Sequence, residues 1–333
     1  MTYRVVLSDQ KTIDVETGRE VFAEAGSESG TGIDVELEVQ TPSPRTPEAV
    51  LDALEGADGL IVDAATPVTA EVLERAASLR VIGRAGIGVD NVDVVAAAAN
   101  DVVVLNVPDY AIEEVSTHAL ALLLACVRKV PLYDREVKNG HWSWEDGRPL
   151  HRLQGKTVGL LAYGAIARRF AEKLAGFGVE VIAHDPYVSS EAMADAGIEK
   201  VDRETLLETS DVLSVHAPLT DETENSLDAE AFGTMPEDAI VVNTARGGVI
   251  DSDALEEALS SGAIAAAGLD VFDPEPPEDS PLLDRENVVL TPHTAWYSEE
   301  SRRELSRSIA GDVLRVLNGE EPNSPVDPDS GWF

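Results

Sequence analysis

Apolar runs of strand length alternate with amphipathic helical stretches almost from end to end of the 333 residues. Parallel sheets with crossover helices produce that alternation. The runs "RVVLSD", "VELEVQ", "GLIVDA", "RVIGRAG" and "VVVLNV" read as strands, with helical segments Pro47 to Leu54 and Ala70 to Ala77 between them. They make a five-stranded α/β unit ending near Val107. A helix around Val115 to Arg128 and the aperiodic polar loop "VKNGHWSWEDGRPLHRLQ" follow. A second series then begins, "TVGLLAY", "VEVIAHD", "VLSVHA", "AIVVNTA", "AAAGLDV" and "NVVLTPH", with Gly178 and Gly262 as helix stops. The final segment, Ser298 to Leu317, reads as a long helix with Ser298 as N-cap and two glutamates in its first turn. A helix arriving after the second sheet is complete packs most simply on the first. The expected organisation is therefore a domain of residues 1–106 and 296–333 interrupted by a second domain, 107–295, with hinges near Val107 and Thr294.

Charge narrows the partners. Asp+Glu number 62 against 25 Lys+Arg, a formal charge of -37. A field of that sign repels phosphate backbones and anionic lipid, so nucleic acid and membrane surfaces are not expected partners. Only six of the basic residues are lysines (Lys11, Lys129, Lys138, Lys156, Lys173, Lys200). Such a surface repels itself unless dense counter-ions screen it, which points to a halophilic source and to loss of structure at low salt. Cys126 is the single cysteine, so no intrachain disulfide and no thiolate metal cluster is expected. The start "MTYRVVLSD" lacks a signal-peptide pattern and "ALALLLACV" is too short to span a bilayer. A cytoplasmic protein in a reducing compartment is the expectation.

The stretch from Thr157 to Gly178 carries a strand, a tight turn and a helix, and a second strand then ends in an acid. This is the context of a dinucleotide-binding turn. Asp185 lies 21 positions after Gly164, close to the separation of about 20 at which a carboxylate grips ribose hydroxyls. Gly164 keeps the middle glycine, where a side chain would hold the backbone away from a pyrophosphate. Ala167 is an accepted variant of the third. Ala162 departs from the first, and is expected to fit only with a negative φ. A plain strand-to-helix packing turn is the alternative. Pro186 and Tyr187 follow Asp185, with no arginine to pair a 2′-phosphate, so NAD(H) is expected over NADP(H).

Three residues at strand ends could do chemistry. Arg246 in "NTARGGVID" follows a strand where open α/β sheets bind ligands, and its guanidinium suits a carboxylate or carbonyl; a surface arginine on a capping loop is the other reading. Glu275 in "LDVFDPEPPED" and His293 in "LTPHTAWYSEE" each have rigid flanks. A histidine with a carboxylate partner is a natural acid/base for a hydroxyl-to-carbonyl redox step, although spacing does not establish the pairing. His216, His184, His118, His141 and His151 read as structural or exposed histidines. No histidine pair has zinc spacing and no G-x-S-x-G elbow occurs, so neither metal nor serine chemistry is expected. In "VIGRAGIGVDNVD", Arg84 and the Gly86, Ile87, Gly88 turn could form a nest for a small carboxylate or merely end a strand.

Taken in order, "GRAGIGVDNVD", "NVPDYAIEEV", "GLLAYGAIA", "VIAHDPY", "HAPLTDETEN", "NTARGGVID", "LDVFDPEP" and "LTPHTAW" resemble the D-isomer-specific 2-hydroxyacid dehydrogenase family over nearly the whole chain. The "HTAWYSEE" ending and "RAGIGVDN" are most similar to the branch that holds the C-terminal-binding proteins. The resemblance implies two doubly wound parallel-sheet α/β domains, a Rossmann cofactor domain inserted into a flavodoxin-like substrate domain. It implies Arg246 on the substrate carbonyl and carboxylate, His293 in proton transfer and Glu275 in its support. Arg84, Gly86, Ile87 and Gly88 would receive the substrate carboxylate and Trp296 would wall the pocket. NAD would meet Gly164, Ala165, Ile166, Asp185, His216, Ala217, Pro218, Thr223, Thr244, Ala245, Arg246, Asp270 and His293. A homodimer through the cofactor domain and a small 2-oxo or 2-hydroxy acid substrate are also implied. D-3-phosphoglycerate dehydrogenase is a second enzyme reading, and an NAD(H)-sensing protein-binding module is a reading of another class. "VST" at Val115 to Thr117 departs from the alanine-glutamate usual in that helix.

Overall fold

The structure is a computed structural model describing residues 2–28, 34–43 and 45–330. They fall into two compact units, residues 1–111 with 297–333 and residues 112–296.

The first unit holds β1 (Thr2–Leu7), β2 (Asp34–Val39), β3 (Gly59–Val62), β4 (Val81–Arg84) and β5 (Val103–Leu105). They form one parallel sheet in the order β2-β1-β3-β4-β5, the flavodoxin-like winding. The interior strands β3 and β4 are buried at every residue, which is why they read as unbroken apolar runs. Edge strand β2 instead alternates, with Asp34, Glu36 and Glu38 exposed and Val35, Leu37 and Val39 half-buried. Helix Glu299–Leu317 begins in a capping box formed by Ser298 and Ser301. It lies so close to β4 that a Cβ on Gly83 would stand 2.7 Å from Ile309. The final helix thus returns to the first sheet, as its position in the chain implied.

The second unit holds β6 (Thr157–Leu161), β7 (Glu180–His184), β8 (Glu199–Lys200), β9 (Val212–Val215), β10 (Ile240–Asn243), β11 (Ala266–Leu269) and β12 (Val288–Leu290). Their order, β12-β11-β10-β9-β6-β7-β8, is the Rossmann winding extended by one strand. The two-residue edge strand β8 has no apolar run to announce it. Helix Val130–Lys138 likewise escaped the periodicity, because none of its residues is buried. Gly262 ends helix Ser252–Ser261 in the left-handed region, as expected. Gly178 does not stop a helix: helix Ala165–Leu174 ends earlier, capped at Ala175, and Gly178 turns the chain into β7. Helix Ile112–Arg128 presses on β11 at Gly268, where a Cβ would lie 3.0 Å from Leu122 and 3.3 Å from the Cys126 sulfur. Burial pushes the Cys126 thiol up to about 12, so it packs as an apolar side chain. No single helix among the described residues is long and apolar enough to cross a membrane.

Candidate active site

The chain leaves β6 through Ala162 and Tyr163 into Gly164, the N-cap of helix Ala165–Leu174. The expectation of a negative φ at Ala162 is overturned: the residue sits at φ 73°. Two bonds hold it there, since the Ala162 amide donates to the His184 carbonyl at 2.8 Å and the Tyr163 amide donates to Asp185 Oδ2 at 2.8 Å. The turn keeps the conformation a glycine would take and bears the steric cost of the methyl group. Ala162→Gly is therefore expected to raise unfolding free energy by about 1 kcal/mol, the left-handed penalty less the freedom gained by the unfolded chain. A thermal melt reads it; an unchanged or lower Tm would contradict the argument.

Around this turn the residues suit a dinucleotide. Nothing lies within 4 Å of where a Gly164 Cβ would be, so the approach to the first helical amides is open. Asp185 is 8% exposed; its Oδ1 accepts the amides of Tyr187 and Val188, leaving lone pairs on the carboxylate for a hydroxyl. The Thr244 hydroxyl is buried with no protein partner, an orphan that a bound amide or water would satisfy. Thr223 folds the "HAPLT" segment by donating to the Pro218 carbonyl at 2.6 Å and accepting the Thr220 amide. Burial pushes the His216 imidazole down to about 4, so a neutral ring faces the Ser214 hydroxyl at 2.9 Å.

The contact between His293 and Glu275 that spacing left open is formed. His293 Nδ1 lies 2.7 Å from Glu275 Oε2, with the two side chains 35% and 36% exposed. Glu275 Oε1 accepts the Phe272 amide at 3.0 Å. Burial alone would raise the Glu275 carboxyl, but the His293 bond and charge, the Phe272 amide and the Arg246 guanidinium outweigh it and hold the group below its usual range. An ionised carboxylate only accepts, so Nδ1 carries a hydrogen and Nε2 is left to exchange a proton.

Arg246 follows β10 on a turn clamped by Asn243, whose amide donates to the Arg246 carbonyl at 2.8 Å and whose Oδ1 accepts the Ala245 amide. Next to it, Gly247 permits a backbone crossing: a Cβ there would stand 2.0 Å from the Phe272 carbonyl carbon. This crossing brings the arginine turn against the loop that carries Glu275. Nothing in the sequence motif set Gly247 apart from its neighbour Gly248.

His293 itself has φ 49°, and its loop is pinned from both sides. Asp270, fully buried, accepts the amides of Thr294 (2.9 Å) and Ala295 (2.8 Å) and the Thr291 hydroxyl (2.6 Å). Its carboxylate is turned into the chain and holds this loop. The Trp296 indole N–H donates to the His293 carbonyl at 3.1 Å, a brace in addition to any role as pocket wall. His118, read as structural, lies 2.9 Å from Thr291 Oγ1. The unusual Ser116 and Thr117 satisfy their hydroxyls on carbonyls of their own helix, at Ile112 and Glu113.

In the first unit, Gly86 adopts φ 145°, and a Cβ there would lie 1.8 Å from Arg84 Nη1. Arg84 is buried and reaches Asn91 Oδ1 at 3.4 Å. The turn through Ile87 and Gly88 is fixed by Asn106, which donates to the Ile87 carbonyl at 2.7 Å, and by the Val107 amide on Gly86 O. The turn is thus tied down within its own unit.

The NAD binding domain of the D-isomer specific 2-hydroxyacid dehydrogenases matches residues 120–295. The chain belongs to this family. As a 2-hydroxyacid dehydrogenase family member, it is 39% identical over 291 residues to a D-3-phosphoglycerate dehydrogenase of Methanocaldococcus jannaschii, covering 87% of this chain and 55% of that protein. The chain therefore spans about half the length of such relatives. It is 37% identical to a glyoxylate reductase of Korarchaeum cryptofilum, covering 86% of this chain and 88% of the relative. Among solved structures, the D-lactate dehydrogenase of Escherichia coli superposes with TM-score 0.79 at 28% identity, covering 98% of this chain and 100% of that one. The second unit accordingly contains the family's NAD binding domain, and the doubly wound α/β fold that the resemblance implied is present.

Proposed function

We propose that this chain is an NAD(H)-dependent oxidoreductase interconverting a small 2-oxo acid and the D-2-hydroxy acid. The observation that carries the reading is the 2.7 Å pair of His293 and Glu275, formed from separate strand ends with Arg246 close enough to lower the carboxyl. When bound, the nicotinamide supplies the hydride to C2 of the oxo acid or takes it back from the hydroxy acid. His293 gives its Nε2 proton to the oxygen as the carbonyl becomes a hydroxyl, and takes it back in the reverse direction. Glu275 keeps Nδ1 protonated and the imidazolium stabilised throughout. Arg246, fixed by the Asn243 clamp, is the guanidinium for the substrate's carboxylate and polarised carbonyl. In the first unit, the Gly86, Ile87 and Gly88 turn is of a kind whose backbone amides suit a small carboxylate.

D-3-phosphoglycerate is a second substrate reading, favoured by the identity to phosphoglycerate dehydrogenases. An NAD(H)-sensing module that binds a protein partner remains the reading of another class. Steady-state turnover with a panel of 2-oxo acids, 3-phosphohydroxypyruvate included, and with NADH and NADPH in parallel, tests all three. NADH-driven reduction of an unphosphorylated 2-oxo acid is the expected result, with NADPH much poorer because Asp185 repels its 2′-phosphate. Tight NADH binding without turnover of any acid would favour the sensing module.

A further inference from the structure

His118 lies in helix Ile112–Arg128, remote in sequence from the His293 loop, yet its ring reaches that loop's support. We propose that His118 is a positioning residue for His293, acting as the terminal donor of a hydrogen-bond relay that runs through Thr291 to Asp270. The direction of the relay follows from chemistry. The carboxylate of Asp270 can only accept, so the Thr291 hydroxyl, 2.6 Å away, has given its proton to Oδ1. A bond between His118 Nε2 and Thr291 Oγ1 at 2.9 Å then requires the imidazole to donate. His118 Nε2 also stands 3.6 Å from Asp270 Oδ1.

What the relay secures is specific. Asp270 holds the amides of Thr294 and Ala295 through its carboxylate and the amide of His293 through its own carbonyl, at 2.7 Å. His293 occupies a left-handed backbone conformation that persists only when its surroundings enforce it. Removing the imidazole takes a donor from the half-buried Thr291 hydroxyl oxygen and lets Thr291 turn from Asp270, which loosens the three amides. The helix side chain thereby fixes where the proton-exchanging ring stands without touching it.

The inference deepens the dehydrogenase reading and rests on it for its kinetic arm alone. The test compares His118→Leu, which keeps bulk without a donor, His118→Gln, which restores an amide donor, and the near-isosteric Thr291→Val, all in the full chain. Backbone hydrogen exchange at His293, Thr294 and Ala295 is one readout, and NADH-driven reduction of glyoxylate is the other. His118→Leu and Thr291→Val should each speed exchange at these amides about tenfold, the loss of one good hydrogen bond. The same variants should lower kcat about tenfold with KM within about twofold, since the loop and not substrate binding is disturbed. His118→Gln should recover most of both effects, and His118→Leu should add little in the Thr291→Val background. Equal behaviour of the Gln and Leu variants, or unchanged exchange in Thr291→Val, overturns the inference. Accelerated exchange in a chain whose wild type turns over no 2-oxo acid would uphold the positioning role and defeat the dehydrogenase reading instead.

Discussion

His293→Ala should lower the rate of 2-oxo acid reduction about 10³-fold while leaving NADH binding within about twofold of wild type, because a positioned general acid is typically worth 10²–10⁴ in rate. The loss should fall on kcat, since the proton is delivered only as the carbonyl becomes an alkoxide. Intrinsic fluorescence titration with NADH separates a catalytic defect from a binding defect. The pH profile of the wild type gives a second view. Reduction needs the imidazolium, so its rate falls as pH rises through the pair's pKa; oxidation of the hydroxy acid needs the neutral ring and gains over the same interval. At the acid end, Glu275 is held below its usual range by His293, Phe272 and Arg246 against the cost of burial. The pair should therefore survive below pH of about 4.3, the ordinary value of a glutamate. An alanine variant as fast as wild type, or a reduction rate that climbs with pH, would remove His293 from the proton path.

Gly247→Ala should be the most damaging single methyl in the second unit's site. The added carbon would lie 2.0 Å from the Phe272 carbonyl carbon, 2.1 Å from its oxygen and 2.6 Å from the Asp273 nitrogen. These are backbone atoms between β11 and Glu275, and they cannot swing aside as a side chain can. Relief requires moving either the Asn243-clamped arginine turn or the loop whose Phe272 amide holds Glu275. Overpacking of this kind costs about 3 kcal/mol when the structure resists. If the loops part instead, Arg246 retreats from Glu275 and kcat falls. Melting temperature and kcat measured together capture both routes, and a variant with both at wild-type values would show that the crossing is looser than described.

Much of this was legible in advance, for local reasons. Interior strands such as β3, β4 and β9 are buried on both faces and announce themselves as apolar runs. Strand-end positions are where α/β folds keep their ligands, so Arg246, Glu275 and His293 could be singled out by place alone. What the sequence withheld depends on partners distant along the chain. The left-handed turn at Ala162 is imposed by the His184 carbonyl and the Asp185 carboxylate, more than 20 positions away. Gly247 matters through a backbone 25 positions on. His118 reads as an ordinary helical histidine until Thr291 is placed beside it, and the hold of Asp270 on its own loop shows only when the Thr294 and Ala295 amides are placed on its carboxylate. Burial by neighbours and hydrogen-bond direction are not periodic quantities, so no local pattern carries them.

The carboxylate of Asp185 ties Tyr163 on one side and Tyr187 with Val188 on the other, stitching the ends of two adjacent strands together. Under the proposed preference for NAD(H), retooling this chain for a phosphorylated dinucleotide is therefore not a matter of exchanging one acidic side chain for a neutral or basic one. Such an exchange unpicks the stitch before it welcomes the new phosphate. A working redesign has to supply fresh acceptors for both turns in the same step, which would make the proposed preference costly to drift away from one mutation at a time.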